Sequence, residues 1–247
     1  MHLGVDGCSD GWVAVWYDDS GYVDSDLYEH IEGLWSTHGD SAETILIDIP
    51  IGLRDDSNDK RPCDDVARSR LGRPRGSSVF SVPIRAAVHE NSYEDAKSTQ
   101  ESLTDGSLGV QSWGITNKIA QLDTFLRKTE PNATEVIREA HPEICFWALN
   151  DENATQYSKT GQPAAAFWER VDILKSFAPN ILDHIHDASI NLDAKVGNDD
   201  VIDAFALALT ASPETGPLHI LPEEWPKEDS GDSTGLPMEM VYAYRSG

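Results

Sequence analysis

Three aspartates occupy positions where the surrounding sequence calls for apolar residues. Asp48 interrupts the strand-like run Thr44-Ile45-Leu46-Ile47-Asp48-Ile49-Pro50, and Asp203 interrupts Val201-Ile202-Asp203-Ala204-Phe205-Ala206-Leu207. Asp6 closes a first strand-like segment, Leu3-Gly4-Val5-Asp6. A carboxylate taken out of water is costly unless it is paired, hydrogen-bonded or bound to a metal. Aspartates on three separate elements therefore predict one convergent site, and the hard oxygen ligands suit a divalent cation such as Mg²⁺ or Mn²⁺.

Further acids stand near these in the sequence. Gly197-Asn198-Asp199-Asp200 opens the helix that carries Asp203. Asp199 and Asp200 can simply complement the helix dipole, with Asn198 as the cap. Asp200 and Asp203 also share a helix face, as do Asp199 and Asp203, so such a pair can offer two carboxylates to one metal. A second cluster, Arg138-Glu139-Ala140-His141-Pro142-Glu143, ends a strand and begins a helix at Pro142. Glu143 then lies in the first turn, where dipole complementation is the alternative to metal binding. Glu139 shares the rim of Asp48 if the two strands are neighbours. His141 is a candidate ligand or general base, although a lone histidine is more often structural.

The segment 54–85 carries Arg54, Lys60, Arg61, Arg68, Arg70, Arg73, Arg75 and Arg85, eight of the nineteen basic residues in about an eighth of the chain. Guanidinium forks suit phosphate oxygens. The loop Gly72-Arg73-Pro74-Arg75-Gly76-Ser77-Ser78 adds backbone donors and hydroxyls. Arg61, Arg68, Arg73, Arg75, Ser77 and Ser78 are thus the phosphate-binding candidates. The competing reading pairs these arginines with the segment's own acids, Asp55, Asp56, Asp59, Asp64 and Asp65. Trp113 is a weak candidate for base stacking, with core packing as its alternative. No Walker loop or dinucleotide fingerprint occurs.

The elements that must position these groups follow from periodicity. Strands are predicted at 2–8, 12–17, 22–27 and 43–49, with a short helix at 29–37; the run at 43–49 suits a centre covered on both faces. Loops and a short helix at 62–71 come next, then helices at 91–104 and 111–128 and a strand at 134–139. Helices at 142–149, 162–177 and 198–212, a polar tail at 222–237 and a last strand at 238–244 complete the chain. This pattern predicts one α/β domain over 1–247, its mixed sheet beginning as an antiparallel meander, with a helical and loop insertion at about 55–130.

Composition narrows the setting. Forty-three acids against nineteen bases give a formal charge of −24 over 247 residues, and the acids are spread along the whole length. Such a lysine-poor acidic surface is expected of a protein soluble in very high salt, hence a halophilic, archaeal cytoplasm. Cys8, Cys63 and Cys145 are too few and too scattered for a disulfide framework or a zinc site. No apolar stretch approaches about 18 residues and no signal peptide is evident, so a cytoplasmic protein without a membrane span is expected, as monomer or homodimer.

Five motifs, taken in order, resemble a known family: Gly4-Val5-Asp6-Gly7-Cys8 with Gly11-Trp12; Asp48-Ile49-Pro50-Ile51-Gly52-Leu53; Ser77-Ser78-Val79-Phe80; His141-Pro142-Glu143 with Phe146; and Asp199-Asp200 through Asp203-Ala204. They resemble the family of unknown function 429, whose members are predicted ribonuclease-H-like nucleases, from the first strand to about residue 210. The resemblance implies a ribonuclease-H-like mixed sheet, antiparallel over strands 1–3 and then parallel. It also implies an acidic site with Asp6 from the first strand, Asp48 from the fourth, Asp200 or Asp203 from the last helix, and Glu139 or Glu143 to complete it. Two Mg²⁺ ions acting on a phosphodiester of nucleic acid are the chemistry that follows. The alternatives are an ATP-dependent phosphotransferase of the actin and sugar-kinase type, and a non-catalytic module that binds metal or nucleic acid.

Overall fold

The structure is a computed structural model that describes residues 1–192, 196–224 and 231–244. β1 (His2–Cys8), β2 (Gly11–Asp18) and β3 (Gly21–Tyr28) form the expected meander. After α1 (Ile31–His38), β4 (Thr44–Ile47) returns to lie parallel to β1, and β5 (Ile137–Glu139) lies parallel to β4. The sheet order is therefore β3-β2-β1-β4-β5, antiparallel over its first three strands and parallel over the rest. The connection from β4 to β5 carries α2 (Pro62–Arg75), α3 (Arg85–Val88), α4 (Tyr93–Leu103) and α5 (Val110–Thr124). A π turn at Phe125–Thr129 and a 3₁₀ turn at Pro131–Glu135 lead into β5.

α6 (Pro142–Leu149), α7 (Pro163–Lys175), α8 (Ile181–Asn191) and α9 (Asn198–Ala211) follow, and β6 (Leu218–Leu221) pairs with β7 (Met240–Ala243) as a separate antiparallel hairpin. One face of the sheet, through Leu3, Val5, Ile45, Ile47 and Ile137, packs with Leu34 of α1 and with Ile119 and Leu122 of α5. The other face carries α9. Its helix lies directly on β1 at Gly4, where a Cβ would stand 2.1 Å from both the Ala204 carbonyl oxygen and the Ala208 amide nitrogen. No larger residue permits that approach. It brings the Asp203 turn of α9 down onto the end of β1.

Three local expectations are corrected. The strand expected at 134–139 is confined to Ile137–Glu139, because Pro131 starts a 3₁₀ turn whose Ala133 and Val136 amides donate to the Glu130 and Ala133 carbonyls. The helix expected at 62–71 extends to Arg75 across a break at Gly72, whose φ of 57° favours glycine. α8 and β6 lie outside the predicted elements; α8 is nonetheless amphipathic, burying Ile181, Ile185 and Ala188. Among the described residues no helix is long and apolar enough to cross a membrane.

Candidate active site

The parallel strands place their carboxyl ends side by side. Val5 pairs with Ile47, the Asp48 amide donates to the Val5 carbonyl at 2.9 Å, and the Ala140 amide donates to the Ile47 carbonyl at 3.0 Å. Asp6 and Asp48 are thus the next residues on adjacent strands, and both carboxylates face α9. Asp203 meets them from the helix. One carboxylate oxygen from each of Asp6, Asp48 and Asp203 lies within 4.8 Å of the others. Asp6 is 8 % exposed and Asp203 5 %, so water screens this crowding weakly.

The titration of the three groups follows from that crowding. Burial, then the charges of Asp48, Asp203 and Asp200, raise the Asp6 pKa well above the usual carboxylate range, with Lys159 opposing. Burial pushes Asp48 up to about 6, against the opposing influence of His141. Burial also raises Asp203, and here Lys159 opposes most strongly.

Lys159 donates to Asp203 Oδ2. Asp203 Oδ1 is buried and has no hydrogen-bonding partner among the described residues. Burial disfavours the Lys159 charge, but Asp203 and Glu143 outweigh it and the pKa is raised. Glu143 itself is held by Arg170 and by the Thr155 hydroxyl at 2.7 Å. Burial would raise its pKa, yet Arg170, Lys159 and Thr155 lower it on balance. Glu143 therefore stands beside the cluster as half of an ion pair. Asp200 accepts from the Gly197 amide at 3.0 Å and closes a capping box at the start of α9, while still lending its charge to the Asp6 environment.

Glu139 is set apart from the three aspartates. Its strand does neighbour that of Asp48, but Glu139 is opposite Ile47 in register and so faces the other side of the sheet. There it takes a bidentate fork from Arg61 at 2.8 and 2.6 Å, and the Ile51 amide at 2.6 Å. Arg61, 2 % exposed, also binds Asp64 at 3.0 and 2.6 Å and the Ile51 carbonyl at 2.9 Å. Cys63, Asp64 and Glu139 converge closely enough for a metal, but the guanidinium already supplies the cation between the two carboxylates.

The basic segment divides in the same way. Arg61 pairs with Asp64 and Glu139, Arg70 with Glu223, Lys60 with Asp65, and Arg85 with Asp55, Asp123 and Asp232. Arg75, Ser77 and Ser78 line a cavity of about 520 Å³ together with Asp48, Asp203 and Lys159, and the ion-paired Arg61, Asp64 and Glu139 form another part of its wall. Arg75 Nε is buried without a hydrogen-bonding partner among the described residues. Arg68 and Arg73 are absent from that lining. His141 caps α6, its Nδ1 accepting from the Glu143 amide at 3.2 Å, which leaves the proton of the neutral ring on Nε2. Trp113 packs against Tyr93 beside a small apolar cluster, away from the cavity.

Lys159 was not among the sequence candidates, and neither were Arg170 and Thr155. Its signal was rarity: the chain has only eight lysines, and this one sits in the polar loop Tyr157-Ser158-Lys159-Thr160-Gly161.

The donor set fits a hard divalent ion. All three converging ligands are carboxylate oxygens, one of them buried without a partner among the described residues. The charges fit as well: Arg170 cancels Glu143 and Lys159 offsets one aspartate, so ionising all three aspartates leaves an excess of negative charge, to which Asp200 adds, for a cation to balance.

A five-stranded mixed sheet of this order, flanked by helices, makes this an α/β protein of ribonuclease-H-like fold, with an acidic cluster where the parallel strands end. The chain belongs to the family described as Protein of unknown function (DUF429), which matches residues 4–226 and so includes all three aspartates. No curated protein and no solved structure matches the chain.

Proposed function

We propose that the chain is a divalent-metal-dependent phosphodiesterase that hydrolyses nucleic acid. The carrying observation is the convergence of Asp6, Asp48 and Asp203, with Asp203 Oδ1 buried and unpartnered among the described residues. These three residues would hold Mg²⁺ or Mn²⁺. When bound there, such an ion would polarise a phosphoryl oxygen and lower the pKa of a bound water.

The remaining groups have roles their positions support. Lys159 presents a half-buried ammonium to the cavity, where it can meet the charge that develops on a phosphate oxygen. Arg170 and Thr155 hold Glu143, which in turn favours the charged form of Lys159. Arg75, Ser77 and Ser78 offer a guanidinium and hydroxyls to a neighbouring phosphate. His141 lines the same cavity, its Nε2 donating to the Ser78 carbonyl at 3.4 Å and so tying the start of α6 to the serine loop. The acidic surface restricts attraction for nucleic acid to this cavity and to high salt, in keeping with a halophilic setting.

The phosphotransferase alternative has less support. Actin-like and sugar-kinase folds close a nucleotide between two such sheets, and the described residues form one five-stranded sheet and the β6–β7 hairpin. The test is cleavage of labelled single-stranded, duplex and hybrid nucleic acids in molar salt with Mg²⁺ or Mn²⁺. Cutting that needs the metal and disappears in Asp6→Asn and Asp203→Asn is expected. A folded, metal-binding protein that cuts none of them would transfer the weight to a binding module.

A further inference from the structure

The cavity beside the aspartates has a second kind of wall that hydrolysis does not use. Phe80, Val82 and Ile115 line it, with Gln111 among them. Val82 and Ile115 also pack on the apolar layer beneath the sheet, so their positions are fixed by the core. Phe80 differs. It is 37 % exposed and belongs to none of the apolar clusters of the described residues. An aromatic ring held at a cavity wall without a core partner offers a π face to a ligand.

Size and chemistry select the ligand. A cavity of about 520 Å³ falls within the ~300–1,000 Å³ of small-molecule sites. That is room for a single nucleotide, whereas a duplex keeps its bases stacked inside. One stretch of lining supplies cation and hydroxyls for phosphate (Arg75, Ser77, Ser78), another supplies carboxylates, and Phe80 with its apolar neighbours supplies a stacking surface.

We infer that this cavity is a subsite for one unpaired nucleotide, its phosphate at Arg75 and the serines and its base against Phe80. The inference rests on the phosphodiesterase reading for placing the reacting phosphate at the aspartates. Every base has a π face, so the subsite takes single strands or frayed ends with little sequence preference. A closed duplex enters only by extruding a nucleotide, at the cost of unstacking it.

The test compares AMP with ribose 5-phosphate in binding titrations of the wild type in molar salt. Neither contains a phosphodiester, so neither is consumed. AMP is expected to bind about tenfold more tightly, the size of one base–aromatic stack. Phe80→Ala should abolish that difference without weakening ribose 5-phosphate, and Phe80→Trp should keep it. Equal binding of the two probes by the wild type, or a preference that survives Phe80→Ala, overturns the inference.

Competition separates a strand from a free nucleotide. A single-stranded oligonucleotide should displace AMP and a blunt duplex should not; failure of the single strand to compete overturns the assignment. The subsite and the reaction can also fail separately. AMP discrimination in a protein that cuts nothing leaves the subsite and removes the hydrolytic reading, while cutting without discrimination does the reverse.

Discussion

Lys159 and Asp203 share one oxygen of a carboxylate whose other oxygen has no partner among the described residues. The ammonium holds Oδ2, and Oδ1 is buried beside Asp6 and Asp48. Lys159 thereby brings a positive charge into the acidic cluster. Its single charge offsets one aspartate and leaves an excess of negative charge for a divalent ion to balance. We propose on that basis that one ion and one ammonium serve the cluster, where the family resemblance implies two ions.

The first prediction concerns stoichiometry. Calorimetric titration with Mn²⁺ should find one ion per chain at the cluster. Lys159→Gln removes a repelling charge and frees Asp203 Oδ2, so it should bind Mn²⁺ more tightly while cleavage falls by about two orders of magnitude, as on loss of one transition-state donor. Absence of Mn²⁺ binding by the wild type, or its persistence in an Asp6→Asn, Asp203→Asn double variant, would sink the assignment.

The pH dependence of stability has a definite sign. Asp6, Asp48 and Asp203 have raised pKa values in the folded chain, Asp48 at about 6. Between the unfolded value near 4 and the folded value, the folded state binds more protons than the unfolded one. These groups therefore stabilise the metal-free fold at low pH and lose that contribution as pH rises through their folded-state pKa values, for Asp48 about 6. With a chelator present, Asp48→Asn should raise Tm at pH 7.5 relative to wild type and have little effect at pH 4.5. Added Mn²⁺ should raise the wild-type Tm at pH 7.5 and leave the variant nearly unmoved. Equal Tm differences at both pH values would contradict this account.

Glu139 should behave as a structural residue. Removing Glu139 leaves Arg61 paired with Asp64, but its two donors to Glu139 and the Ile51 amide lose their buried partner, at about 1–3 kcal/mol for each group left unsatisfied. Glu139→Ala is expected to lower Tm by roughly 10 °C, at about 2–4 °C per kcal/mol for a chain of this size. The Arg61→Met, Asp64→Leu, Glu139→Leu triple variant should recover much of the loss. Mn²⁺ affinity in folded Glu139→Ala should match wild type, whereas a metal ligand at Glu139 would abolish it.

Gly4→Ala tests how the helix is seated. The added methyl would overlap the α9 backbone at 2.1 Å, so helix and strand must separate. A loss of several kcal/mol is expected, together with weaker Mn²⁺ binding, because Asp203 moves away from Asp6. A variant with wild-type Tm and metal affinity would contradict the close packing described for β1 and α9.

Arg75→Ala isolates phosphate binding. Affinity for single strands should drop uniformly across sequences, and the slope of log K against log salt should fall by about one. Arg73→Ala, at an exposed residue absent from the cavity lining, should change neither. Equal effects of the two substitutions would mean that the basic segment acts through its general charge.

The sequence by itself determined the opening meander, the buried fourth strand, and the three aspartates that interrupt apolar runs, because hydrophobic periodicity and the cost of a buried carboxylate are local signals; the arrangement of the strands in the sheet was implied only by the family resemblance. It also marked Arg61, Arg75 and Glu139 as unusual without telling their uses apart. Tertiary structure made that separation. A one-residue offset in a pleated strand turns Glu139 to the face opposite Asp48, where Arg61 meets it, and no spacing along the chain reveals which strands will pair in which register. Lys159 reaches Asp203 from a loop 44 residues away, and Gly4 lets α9 settle on β1 so that Asp203 comes to lie beside Asp6. The acids were legible one at a time; their partners depended on how the chain closes on itself, since charge pairing is decided by distance in space and periodicity reports only neighbours in sequence.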